Sequence, residues 1–106
     1  FPTAHRYEIR TRADVVGQDI YEGVTESISA SGARVKLQRD MGEGSQSLRY
    51  VDVIFPGIRN LKIKSRVVEY RDNVLRLKFK DLSKTDREYL MDWMQSQTET
   101  RNEKPG

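Results

Sequence analysis

The chain has 106 residues, a length that accommodates one compact domain rather than two. Hydrophobic residues make up 36% and charged residues 33% of it, and 19 Lys and Arg against 16 Asp and Glu give a formal net charge of +3. The absence of cysteine excludes disulfides, Cys-ligated zinc, iron–sulfur clusters and thiol catalysis, and a single histidine excludes a multi-histidine metal site. The sequence shows neither a signal-peptide pattern nor an apolar stretch near the roughly 20 residues of a membrane span.

Residues 1–10 lack a clean apolar period and are predicted to form a basic arm leading into the domain. The chain begins Phe-Pro-Thr-Ala, so we expect it to be a domain of a longer protein. Residues 5–12 hold three arginines against one glutamate. A local basic segment on a nearly balanced domain favours a small anionic ligand over a long polyanion, so no DNA partner is expected. A solvated chain end is the alternative.

The predicted strands begin at about residue 11. Residues 12–28 are typical of a hairpin with a turn near 17–19, and residues 33–37 alternate apolar and polar side chains as a half-buried strand does. Residues 39–48 contain two glycines and no apolar period, which indicates a mobile loop. The next strand is predicted over residues 50–55 and is ended by a Pro-Gly turn signal.

The apolar pattern continues over residues 58–70, which is long for one strand and indicates a bulge near Ser65, where the alternation slips. A turn at 71–73 precedes a strand over 74–80. The period then changes to that of a helix, which Ser83 is predicted to cap at its N-terminus.

The helix carries an apolar stripe that favours packing over an open end of the sheet, with partner binding as the alternative. The members of the stripe are Tyr89, Leu90, Trp93, Met94 and Gln97. Residues 98–106 are predicted to be a disordered tail. The fold class is therefore all-β with one C-terminal helix: a small six-stranded antiparallel β-barrel over residues 11–97, capped by the helix.

Enzymatic motifs are missing from the sequence, and we expect no catalytic activity. It contains no nucleophile elbow, Walker loop or paired histidines. His5 lies in the arm, where an exposed side chain is a better interpretation than a general base.

Two clusters could bind a ligand. Arg6 and Arg10 form an Arg-x-x-x-Arg spacing, and each guanidinium can hold a phosphate or a guanine edge through two hydrogen bonds. Ser27, Ser29 and Gly32 belong to a small-residue segment between two strands, where a ligand can approach the backbone closely and the glycine permits a turn with positive φ. A solvated arm and an ordinary Ser/Gly turn are the respective alternatives.

The order of these features resembles the PilZ domain family, the receptor module for cyclic di-GMP. The Arg-x-x-x-Arg arm, a hairpin, and x-x-Ser-x-x-Gly-Ala at a strand start are followed by Val-Ile-Phe-Pro at 53–56 and Leu-Ser-Lys-Thr-Asp-Arg-Glu at 82–88. The resemblance covers roughly residues 5–97 and implies a PilZ-like barrel with cyclic di-GMP as its ligand rather than a catalytic cofactor.

By position, the resemblance implies that Arg6 and Arg10 grip the phosphates and guanine edges of the ligand, with Ser29 and Gly32 as the motif serine and glycine. Ser27 stands where the family has Asp or Asn. Because a hydroxyl accepts hydrogen bonds less well than a carbonyl or carboxylate, binding should be roughly 10- to 100-fold weaker than for a full motif. Secondary ligand contacts are assigned to His5, Tyr7 and Ser31.

The function that the resemblance implies is a ligand-gated switch of a parent protein, such as a polysaccharide synthase (a bacterial cellulose synthase, for example) or a motility regulator. Its partners are then the cyclic dinucleotide and the other domains of that parent. The domain is expected to lie in the cytoplasm, which covers the case of a cytoplasmic domain in an inner-membrane protein. Two alternatives are a degenerate PilZ domain that binds proteins but no nucleotide, and, ranked last, a barrel for single-stranded nucleic acid.

Overall fold

The computed structural model describes residues 5–42 and 48–102, with side chains described as far as residue 98. These residues form six antiparallel strands and one helix, as predicted. The elements are β1 (Arg12–Val16), β2 (Ile20–Ile28), β3 (Gly32–Leu37), β4 (Tyr50–Phe55), β5 (Leu61–Arg71), β6 (Val74–Phe79) and α1 (Lys84–Asn102).

The six strands close into a barrel in the order β1-β2-β3-β6-β5-β4, and β4 pairs back onto β1. Closure pairs every strand on both sides and removes the edges that would otherwise be open to another chain. Alternate side chains of each strand point inward and form one apolar core, which includes Val15, Val35, Val53, Phe55 and Ile63. The predicted fold class is confirmed.

The helix begins as the sequence predicts and ends later. The backbone N–H of Asp86 donates to Ser83 Oγ at 3.1 Å, so Ser83 is the N-cap. Leu90 and Met94 are buried in the barrel core, as expected for the apolar stripe. The prediction of a disordered tail from residue 98 is wrong for 98–102, because the helix continues to Asn102; residues 103–106 lie outside the described part. Among the described residues, no helix is long and apolar enough to cross a bilayer.

Strand β5 differs from its prediction at both its start and its bulge. Residues 56–60 form a turn in which Arg59 and Asn60 have φ of 54° and 56°, so the strand begins only at Leu61. The register shift lies between Val67 and Glu69, not near Ser65. An extra residue at this point leaves the ladder, and Val68 is 48% exposed as a result.

The segment between β3 and β4 was predicted to be mobile, and its residues 43–47 lie outside the described part. Its first residues are attached to the β5–β6 hairpin. The Tyr70 hydroxyl donates to Asp40 Oδ1 at 2.6 Å and accepts from the Met41 N–H at 3.0 Å. The described start of this segment is therefore held on the barrel.

The N-terminal arm is attached to β2 from Tyr7 onward, whereas residues 1–4 lie outside the described part. Tyr7 and Ile28 exchange two backbone hydrogen bonds of 2.8 and 2.9 Å. The buried Thr25 hydroxyl donates to the Ile9 carbonyl at 2.6 Å and accepts from the Thr11 N–H at 2.8 Å. Ile9 is itself only 6% exposed, so the arm from Tyr7 to Thr11 is attached to the barrel.

Candidate functional site

A groove of about 180 Å³ opens on the outer face of the barrel, where the segment after β2 meets β6 and the bulge of β5. It brings together the arm, the serine turn (residues 29–32) and three strands. Its lining residues are Arg6, Ser29, Ser31, Gly32, Ala33, Arg34, Val68, Arg76, Leu77 and Lys78. The groove therefore contains residues of both clusters that the sequence singled out.

The serine turn is built by the Ser29 hydroxyl. Ser29 Oγ accepts from the backbone N–H groups of Ser31 and Gly32, both at 3.2 Å, and the Ser29 N–H donates to the Gly32 carbonyl at 2.8 Å. Ser29 is only 4% exposed, whereas Ser31 is exposed with its hydroxyl 3.2 Å from that of Ser29. Ser29 thus shapes the floor of the groove, and Ser31 presents a hydroxyl to it.

Gly32 is required by close packing rather than by its own conformation. Its φ is not positive, so the suggestion of a left-handed turn residue is wrong. A Cβ at this position would collide with the carbonyl oxygen of Leu77 on β6. The backbones of the turn and of β6 are further joined by the Phe79 N–H, which donates to the Ser31 carbonyl at 2.8 Å. The missing side chain therefore lets two backbones meet at the groove.

Ser27 lies beside the groove but does not line it. The register between β2 and β3 shifts between Thr25 and Ser27, which places a bulge at Glu26. Ser27 is only 7% exposed. Ser27 and Ser29 do not lie on one extended strand, because β2 ends at Ile28 and the chain turns immediately afterwards.

The arm residues divide into one that lines the groove and three that do not. Arg6 lines the groove beside the serine turn, although the two are distant in sequence. Arg10 is exposed and is not a lining residue. His5 is exposed and packs edge-on against Tyr7 with ring centroids 4.5 Å apart, and neither lines the groove.

Four exposed or half-exposed lining residues were not assigned to a site from the sequence: Arg34, Val68, Arg76 and Lys78. Arg34 lies directly opposite Arg76, and Gly32 opposite Lys78, because β3 pairs with β6. That pairing joins strands that are far apart in the chain, so no local sequence pattern predicts it. The slip of alternation in β5 was a signal for Val68, but the sequence placed the bulge too early.

Among the described residues, the charged side chains that line the groove are all cationic: Arg6, Arg34, Arg76 and Lys78. Guanidinium groups bind phosphate oxygens in pairs, so this lining suits an anion. In residues 5–42 and 48–102, no group of three or more His, Cys, Asp or Glu could hold a metal ion.

Comparison with known proteins agrees with the sequence resemblance. The family model described as PilZ domain matches residues 3–96. A solved structure, the PilZ domain of CeSA from a cellulose-synthesizing bacterium, is similar with a TM-score of 0.62 and 16% identity over 90% of this chain and 99% of that one. No curated protein matches the chain. Because the structural likeness shows the fold and the family match runs from the arm to the helix, this chain belongs to the PilZ domain family.

Proposed function

We propose that this domain binds cyclic di-GMP in the groove and thereby switches the activity of a larger parent protein. PilZ domains are regulatory binding modules rather than catalysts. The observation that carries the proposal is the meeting of Arg6 with the serine turn in one groove. These residues come from the two segments in which the family holds its ligand, and they lie far apart in the sequence.

The proposed chemistry follows from the groove lining. Arg6 donates two parallel hydrogen bonds to a phosphate of the ligand, while Ser31 supplies a hydroxyl and Gly32 lets the serine turn pack against β6 to form the floor of the groove. The exposed Arg10 side chain swings onto the ligand. Its backbone stays in place because Thr25 holds the neighbouring Ile9 carbonyl. Binding is thus proposed to reorganise residues 5 and 6 together with the Arg10 side chain, while the backbone from Tyr7 to Thr11 stays attached to β2.

The departure at Ser27 leads us to propose modest affinity. The family residue at this position is Asp or Asn, and Ser27 is a buried hydroxyl that does not line the groove. The loss of one good polar contact weakens binding by roughly 10- to 100-fold relative to a complete motif.

Titration calorimetry with cyclic di-GMP tests the proposal. We expect the wild-type chain to bind and both Arg6→Ala and Arg10→Ala to abolish the heat. Arg87→Ala is the matched control, since it removes the same charge from an exposed position on α1, and should bind as the wild type does. Absence of heat from the wild type at high micromolar ligand would refute the proposal.

The parent protein is proposed to be a cytoplasmic or membrane-anchored polysaccharide synthase, or a motility regulator. The structural similarity to the PilZ domain of a cellulose-synthesizing bacterium's CeSA supports the first choice. The domain itself is proposed to lie in the cytoplasm, with the cyclic dinucleotide and the other domains of the parent as its partners.

A second candidate function is a degenerate PilZ domain that binds other proteins and no nucleotide. The observation that favours it is the absence of Asp or Asn at Ser27. Nucleotide binding that survives Ser27→Ala and is lost on Arg10→Ala would count against this alternative, because a degenerate site would show neither behaviour.

A further inference from the structure

We infer that Arg34, Arg76 and Lys78 form a phosphate-binding subsite, here called the cationic wall, beside the serine turn. The inference rests on the proposed function for the identity of the full ligand, cyclic di-GMP. It assigns the contact with a phosphate to three residues outside the two motifs. The cationic wall would supply part of the affinity that Ser27 does not.

Strand pairing places the three cations together on the outside of the barrel. Arg34 on β3 and Arg76 on β6 are directly opposite each other, and Lys78 is two residues from Arg76 on the same strand. Directly opposite side chains have Cβ atoms about 5 Å apart, and diagonal neighbours are about 7–8 Å apart. One phosphate group can therefore contact all three.

In the described part of the chain, acidic neighbours balance only part of the charge of the cationic wall. Like charges directly opposite each other destabilise a sheet, so the pairing of Arg34 with Arg76 costs stability in the free protein. Glu69 lies 3.4 Å from Arg76 and partly offsets its charge. Among the described residues, no ion pair forms with Arg34 or Lys78. The pair is thus better explained by an anion that binds it than by a role in folding.

The Arg34 side chain also carries an unused hydrogen-bond donor. Its Nε is buried and has no hydrogen-bond partner among the described residues. A buried donor without an acceptor is costly, and most such groups in proteins are satisfied. Because Arg34 lines the groove, an oxygen of a ligand phosphate can accept from this atom. The same oxygen would then relieve both the unpaired donor and the repulsion between Arg34 and Arg76.

The exposure of the wall permits a phosphate to reach it. Arg76 and Lys78 are exposed and Arg34 is half-exposed, and all three line the groove. The groove volume of about 180 Å³ lies below the roughly 300–1,000 Å³ of pockets that enclose drug-sized ligands. Only part of a dinucleotide fits inside, so a phosphate bound to the wall would hold that part while the remainder extends over the barrel surface.

Two measurements on the 106-residue chain test the inference. The first is the affinity for cyclic di-GMP of Arg34→Ala and Arg34→Lys, with Lys36→Ala as the matched control because it removes an exposed charge two positions along β3. Arg34→Ala should weaken binding roughly 10- to 100-fold, Arg34→Lys should weaken it less, and Lys36→Ala should change it by about twofold or less. The melting temperature of Arg34→Ala should stay equal or rise, which a structural role would not produce.

The second measurement follows the Arg34 Nε–H signal by NMR during separate titrations with cyclic di-GMP and inorganic pyrophosphate, with Arg34→Lys to assign it. We expect both ligands to shift this signal. If pyrophosphate alone shifts it, the cationic wall is an anion site and the proposed function fails. If cyclic di-GMP binds while Arg34→Ala keeps wild-type affinity and the signal stays still, the inference is overturned and the proposed function stands. A signal that neither ligand moves overturns the inference as well.

Discussion

The outer wall of the barrel has two halves with the same architecture and different charge. On the half formed by β1 and β2, Arg12 lies 3.1 Å from Asp14 and 3.2 Å from Glu22, so its charge is offset by its neighbours. On the half formed by β3, β6 and β5, Arg34 and Lys78 form no ion pair within the described part of the chain. Both halves belong to one closed sheet and share one core.

The difference teaches that closure of the sheet fixes the fold, whereas the outward positions decide where an anion can bind. Neighbouring opposite charges cancel at the surface and leave little field for a ligand. Neighbouring like charges leave a positive potential that a phosphate can neutralise. The β1–β2 half therefore serves as an internal control for every experiment on the groove.

The largest expected effect comes from Gly32→Ala, which tests the close packing on the groove side. The new Cβ would collide with the Leu77 carbonyl oxygen and push β3 away from β6. We expect a loss of about 3 kcal/mol in the free energy of unfolding, measured by urea denaturation. Ser31→Ala, in the same turn, should stay within about 0.5 kcal/mol of the wild type. Equal stability of both variants would show that the backbones are not in close contact there.

The next effect concerns the attachment of the arm, on the border between the two halves. Thr25→Val removes the buried hydroxyl that joins the Ile9 carbonyl and the Thr11 N–H. The unfolding free energy should fall by about 1–3 kcal/mol, and cyclic di-GMP affinity should fall with it because Arg6 is no longer held near the serine turn. Thr85→Val, at an exposed position on α1, controls for the substitution itself. If Thr25→Val is destabilised but keeps its affinity for cyclic di-GMP, binding does not require the attachment of the arm to β2.

A smaller effect on stability is expected from the hydrogen bond between Tyr70 and Asp40, which lies at the end of β3 distant from the groove. Burial, and then the hydrogen bond to Asp40, raise the pKa of Tyr70 above 10.0, and the same bond lowers the pKa of Asp40 below 3.8. The stability from Tyr70 is thus present below pH 10 and is lost as the pH rises through its raised pKa. The contribution of Asp40 is present above its ordinary pKa and is lost as the pH falls through its lowered one.

Asp40→Asn should move the pKa of Tyr70 down toward its ordinary value without reaching it, because burial remains. A pH titration of phenolate absorbance, with Tyr70→Phe to identify the residue, measures this shift. Cyclic di-GMP affinity should not change, since the cluster lies outside the groove. A loss of affinity in Asp40→Asn would show that the two ends of β3 are coupled.

The smallest effect is expected for Ser27→Ala. The Ser27 side chain is buried and does not line the groove, so cyclic di-GMP affinity should change by about twofold or less, measured by calorimetry. Serine-to-alanine substitution at Ser31, whose side chain is exposed to the groove, offers the comparison. A large loss on Ser27→Ala would mean that the ligand reaches Ser27 after rearrangement of the bulge at Glu26.

Local pattern was sufficient for much of the fold. The strand β4 lies at the predicted residues because its apolar run is bounded by the turn signal at Pro56, and the helix starts where Ser83 supplies a cap. The bulge at Val68 and the later helix end at Asn102 were missed. The position of the bulge depends on how β5 pairs with β6, and the end of the helix depends on how far its backbone continues past the apolar stripe. The alternation of apolar residues and the polar composition of the tail do not determine either one.

The site could be predicted only in part for a related reason. Arg6 and Gly32 could be predicted from the sequence because their spacing from neighbouring motif residues is typical of one family. Arg34 and Arg76 become neighbours only through the pairing of β3 with β6, two strands separated in the chain by β4 and β5. The alternation of apolar and polar residues predicts that both side chains face solvent. The order of the strands in the barrel shows that they lie side by side and line a groove.

Mapping of backbone amide shifts by NMR during titration with cyclic di-GMP tests the central claim most directly. We predict that the largest shifts fall on Arg6, on the serine turn with Arg34, and on residues 76–78, while the strand β1 is spared. Saturating ligand that moves no amide, or that moves chiefly β1 or the helix, would contradict the account.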